Sequence, residues 1–114
     1  GRKADFYLTK QQAAQFPFAE KYLAAELAEK LNELRDAESV KKTSGAEIFR
    51  QMQAKNYAGE AVSNGIRKKY VSTQGEAAGL FIGMRVSKNG TEYEDIYYNE
   101  VAQKMILEMV CMNQ

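Results

Sequence analysis

The sequence predicts an α+β domain weighted toward helix: about four helices packed on an antiparallel β-hairpin over residues 79–98, with the N-terminal segment able to add a third strand. Three observations carry this. Asn89-Gly90 separates two stretches rich in β-branched and aromatic residues, the strongest short-range hairpin signal. Leu23, Leu27, Leu31 and Leu34 recur at helical spacing and form one apolar stripe. Residues 100–112 hold a second amphipathic pattern, the most apolar in the chain.

In chain order, Asp5 to Thr9 is short, aromatic and β-prone. Thr9 and Gln12 have the spacing of a capping box, opening a helical turn through Gln15. Pro17 suits the first position of a helix, where its missing N–H is not needed, so the leucine helix is expected from about Pro17 to about Asp36. Glu26 and Lys30 then stand four apart on its outer side. A polar loop over 39–44 leads to Ser44 and Glu47, a second capping box, and a helix that turns Ile48, Phe49 and Met52 inward and stops near Asn56.

Ala58, Val62, Ile66 and Tyr70 fall on a four-residue repeat and predict a third long helix, with Tyr70 to Thr73 readable as strand instead. Gly59 and Gly65 each weaken that helix by about 1 kcal/mol relative to alanine. In the hairpin, a two-residue Asn89-Gly90 loop pairs Val86 with Tyr93, Met84 with Asp95 and Ile82 with Tyr97 on one face. Phe81 with Tyr98, Gly83 with Ile96 and Arg85 with Glu94 then make the other. A helical wheel of the last segment puts Val101, Ala102, Met105, Ile106, Met109, Val110 and Met112 inward, and Glu100, Gln103, Lys104 and Glu108 outward. Leu107 and Cys111 fall in the polar half, which suits a surface covered by a partner.

Length and composition narrow the class. At 114 residues the chain is expected to form a single domain, 1–114. Hydrophobic residues at 45% and charged residues at 27% describe an ordinary soluble globular protein and argue against disorder. Sixteen basic and fifteen acidic residues leave a net charge of +1, so no general attraction to nucleic acid or anionic membrane is expected. No apolar run approaches the roughly 18 residues of a membrane span. One cysteine permits no internal disulfide. Because the first residue is Gly1 rather than Met, an upstream signal peptide, lipid anchor or further domain is compatible with the chain, and both cytoplasmic and periplasmic or secreted locations are open.

The absence of histidine removes the commonest general base and metal ligand, and with it serine–histidine and cysteine–histidine nucleophilic catalysis. No enzyme, cofactor or metal site is expected. Glu92 and Glu94 read as a solvated strand face; Asp95 falls on the apolar face beside Met84 and calls for a bulge or local hydrogen bond. Gly75, Gly79 and Gly83 match no phosphate-binding loop.

The expected function is therefore a non-catalytic protein–protein interaction domain, as an inhibitor, immunity-type or assembly component, with a homo-oligomer among the expected forms. Its candidate partner-binding residues are Tyr93, Tyr97, Tyr98, Leu107 and Cys111. The alternative is nucleic-acid binding through Arg67, Lys68 and Lys69. Three helices followed by a hairpin resembles the order of a winged helix-turn-helix, with that basic run on the recognition helix and Asn89-Gly90 at the wing tip.

Overall fold

The computed structural model describes residues 2–112. Its elements are α1 (Lys10–Ala13), β1 (Lys21–Leu23), α2 (Ala24–Leu34), α3 (Gly45–Ala54), β2 (Ala58–Ser63), β3 (Ile66–Val71), α4 (Thr73–Ala77), β4 (Leu80–Val86), β5 (Glu92–Asn99) and α5 (Glu100–Val110). The α+β class is as expected, but strands carry nearly as much of the chain as helices, so it is not mainly helical. The strands form an antiparallel three-stranded sheet in the order β1-β5-β4 and a separate β2–β3 hairpin.

The third strand of the sheet is Lys21–Leu23, not the N-terminal segment. Lys21, Tyr22 and Leu23 pair with Asn99, Tyr98 and Tyr97, and this ladder delays the leucine helix from Pro17 to Ala24. The segment from Asp5 to Thr9 contributes no regular strand: the chain here makes two single bridges, Ala4 to Val40 and Leu8 to Cys111. The capping box at Thr9 forms in full, with Gln12 N–H donating to Thr9 Oγ1 and Thr9 N–H to Gln12 Oε1. At Ser44 only half forms, because the hydroxyl accepts the Glu47 N–H while the Glu47 carboxylate turns to Arg50 and Gln51. The α3 helix ends at Ala54, close to the expected stop, and Asn56 follows in the left-handed region at φ 62°.

The predicted helix over 58–70 is instead the β2–β3 hairpin. Asn64 (φ 53°) and Gly65 (φ 77°) occupy the two central positions of a two-residue loop between paired Ser63 and Ile66, a turn that demands positive φ at both. The apolar repeat at four-residue spacing also fits strand alternation, and the turn dipeptide decides between the two.

At Asn89-Gly90 the same dipeptide behaves differently. Gly90 N–H donates to Ser87 O and Ser87 N–H to Thr91 O, closing a three-residue loop with only Gly90 (φ 87°) at positive φ. The extra residue shifts the register by one from the expected pairing: Val86 faces Glu92, Arg85 faces Tyr93, Met84 faces Glu94, Gly83 faces Asp95 and Phe81 faces Tyr97. A one-residue shift exchanges the faces of β5 relative to β4. Asp95 therefore leaves Met84 for the face of Arg85, and Ile96 and Tyr98 join Leu80 and Ile82 on the core side.

That core gathers Leu8, Phe16, Leu27, Leu31, Ile48, Met52, Leu80, Ile96, Tyr98 and Ile106 under the helices. The last helix is rolled from the expected wheel: Gln103 is fully buried, while Val101, Met109 and Met112 are exposed. Gln103 turns inward because its amide accepts the Ala19 N–H and donates to Ala19 O and Tyr98 O, satisfying backbone groups next to the core. No helix among the described residues is long and apolar enough to cross a membrane.

Candidate functional site

The apolar face of β4 does not stop where the core stops. Leu80, Ile82, Met84 and Val86 alternate along one side of the strand; Leu80 is buried and Ile82 half-buried, but Met84 is 55% and Val86 61% exposed. Beside this extension lies the β2–β3 hairpin, whose strand β3 contacts both β4 and β5 without joining their ladder. Between the two hairpins is a groove of about 580 Å³ lined by Ile66, Met84 and Tyr93 together with charged residues of both arms. Ile66 is 60% exposed, and Val62 opposite Arg67 is also exposed. Strand β4 is at the edge of its sheet, so this apolar face adjoins backbone without a strand partner.

The two arms are tied together by charge. Asp95 Oδ1 lies 3.2 Å from Lys69 Nζ and Oδ2 lies 3.1 Å from Arg85 Nη1. Its Oδ1 also accepts the Ile96 N–H, on the stretch of β5 beyond the last residue paired with β1. Burial pushes the Asp95 carboxyl up, but the hydrogen bonds from Ile96, Lys69 and Arg85 outweigh it and hold the group below the usual carboxylate range. Lys69 also sits over the Phe49 ring, 5.2 Å from its centroid. A second link joins Lys68 to Glu94 at 3.8 Å.

Behind Asp95 a second cleft, of about 380 Å³, opens between the start of α2, the start of α3 and strand β5. Leu23, Ala24, Ala25, Gly45, Ala46, Phe49, Lys69, Arg85, Asp95, Ile96 and Tyr98 line it. Tyr98 is fully buried, and its hydroxyl has no hydrogen-bond partner among the described residues. Burial and then the nearby charge of Asp95 push that hydroxyl far above the ordinary phenol range, so it stays protonated at neutral pH.

The residues singled out in the sequence are scattered by this arrangement. Tyr93 is exposed and in the groove, with Arg85 over its ring at 5.2 Å. Tyr98 has no surface to offer a partner and Tyr97 has 8%, because Tyr97 lies over Gly83, stacked on Phe81, with Lys21 above it. Leu107 is half-buried against the core. Cys111 bridges to Leu8, with Leu8 N–H donating to Val110 O and Met112 N–H to Leu8 O. What covers the end of α5 is thus the chain's own N-terminal segment. Arg67, Lys68 and Lys69 are on β3 rather than on a recognition helix, so the winged-helix order is not present.

Ile66 and Met84 were not singled out as a surface, though a signal existed. The apolar alternation of β4 runs on through Met84 and Val86, and Asn64-Gly65 marks the second hairpin. Comparison of the chain with protein-family models, with curated proteins and with solved structures returns no match.

Proposed function

We propose that the protein is a non-catalytic interaction domain that receives a protein partner in the groove between its β2–β3 and β4–β5 hairpins. The observation that carries this is the continuation of the apolar face of β4 beyond the core, where the exposed Met84 shares a groove with Ile66 and Tyr93 inside a charged rim. Tyr93 supplies a rigid amphipathic contact at the groove, a residue type favoured in binding surfaces. The edge position of β4 adds a way to bind, since an extended segment of the partner can pair with its free backbone.

Nucleic-acid binding through Arg67, Lys68 and Lys69 has less support, because Lys68 and Lys69 are engaged by Glu94 and Asp95. Co-purification from the native cells tests the reading. A companion protein held in fixed proportion by the wild type is expected to be lost from Met84→Glu/Ile66→Glu and kept by the control Val101→Glu on α5. Equal retention by all three rules the groove out, and saturable shifts of the Arg67 to Lys69 amides with duplex DNA would favour the alternative.

A further inference from the structure

The free edge of β4 has a pattern of its own. Ser87 N–H donates to Thr91 O at one end of the β4–β5 ladder and Asn99 N–H to Gly79 O at the other, so the odd-numbered residues of β4 spend their backbone groups on β5. Those of Ile82, Met84 and Val86 point outward. The Tyr97 hydroxyl agrees with this direction, since it donates to Met84 O and leaves that carbonyl a second lone pair. Among the described residues no backbone group of another element bonds to these three. Native edge strands are blunted by proline, lysine, bulges or a covering element. Leu80–Val86 has no proline, its register with β5 runs without a bulge, and its one charge is Arg85.

The sequence of β4 matches itself. About a two-fold axis at Met84, an antiparallel pair of β4 strands sets Met84 beside Met84 of a second copy, Val86 beside its Ile82 and Arg85 beside its Gly83. Met84 and Val86, both exposed, then gain apolar neighbours, and the only charge falls opposite a residue with no side chain, so no like charges meet. The same register carries Lys88, at the hairpin tip, alongside Leu80 of the second copy, just after the α4 helix that holds Glu76. Lys88 and Glu76 are exposed, and among the described residues neither makes an ion pair. Symmetry brings these opposite charges together twice. A strand of another protein would have to supply this match, whereas a second copy has it already.

We propose that two copies of this chain pair through β4, joining their three-stranded sheets into one continuous antiparallel sheet. This rests on the reading of β4 as a binding edge and names its occupant. One strand pair is a small interface, so the dimer is weak and depends on concentration. Analytical ultracentrifugation of the purified full chain, from micromolar to millimolar protein, tests it, with a reversible monomer–dimer equilibrium as the expected result. Met84→Lys sets two lysines side by side at the axis and is expected to weaken association about tenfold. Lys88→Glu and Glu76→Lys are each expected to weaken it about threefold, and the two together in one chain to recover the wild-type value. Met84 is 55% exposed, so its replacement leaves the monomer folded, which an unchanged thermal melt checks. Ile66→Glu, on the β2–β3 arm, is expected to leave the dimer unchanged, which separates self-pairing from capture of a companion in the groove. A wild type that stays monomeric at millimolar concentration, or a dimer indifferent to Met84→Lys, would overturn the pairing, while retention or loss of the companion by Ile66→Glu would still decide the groove reading.

Discussion

Lys69 Nζ lies 3.2 Å from Asp95 Oδ1, and this contact joins two hairpins that share no backbone ladder. Lys69 comes from β3 and Asp95 from the centre strand of the main sheet, so the orientation of the β2–β3 arm, and the shape of the groove beside it, depends on this polar contact and its Lys68 to Glu94 neighbour.

Replacing Asp95 by Asn is expected to lower stability by about 1–2 kcal/mol, the range for charge-assisted hydrogen bonds discounted for partial exposure. The pH dependence has a definite sign. The folded carboxyl is held below its unfolded value of about 3.9, so its contribution is present above about pH 4 and is lost as pH falls through the lower folded value. Urea denaturation across the acid range should therefore show a shallower acid limb in Asp95→Asn than in the wild type.

Tyr98→Phe is expected to raise stability by about 1 kcal/mol, because it removes a buried hydroxyl with no partner among the described residues while keeping the ring. Thermal melts in chloride buffer check this; a loss of stability would mean that the hydroxyl is satisfied.

Gln103→Leu keeps most of the side-chain volume but strips partners from the Ala19 N–H and from two backbone carbonyls. A cost of about 2–4 kcal/mol is expected from these buried groups, read as a lower urea midpoint with little change in slope. A neutral outcome would show that solvent replaces the amide.

Leu107→Asp places a charge against the core and is expected to cost about 2 kcal/mol or more, measured as a lower melting temperature. A variant with unchanged stability would instead support an exposed, partner-facing Leu107.

Local chemistry was the most legible part of the fold. Capping at Thr9 and Ser44, the inward stripe of Leu27 and Leu31, and the existence of a hairpin near residues 80–98 all follow from short-range rules. The errors came where two local rules compete or where a distant partner decides. Asn64-Gly65 outweighs the helical spacing around it, whereas Asn89-Gly90 gains a residue from the Ser87 to Thr91 bonds and moves Asp95 to the other face. The roll of α5 depends on Ala19, 84 residues from Gln103, and no pattern within residues 100–112 contains that information. For the site, Tyr93 was legible only as an interface-favoured residue type, with nothing to separate it from the buried Tyr97 and Tyr98. The groove was not, because it requires knowing that the chain has a second hairpin at all.

The most direct measurement of the groove is site-specific photocrosslinking in the native cells, with the reactive side chain placed in turn at Met84, at Ile66 and at the remote exposed Val101. A discrete adduct of one size from Met84 and Ile66, absent from Val101, is the expected result. No adduct from the groove positions, or the same adduct from all three, would contradict it.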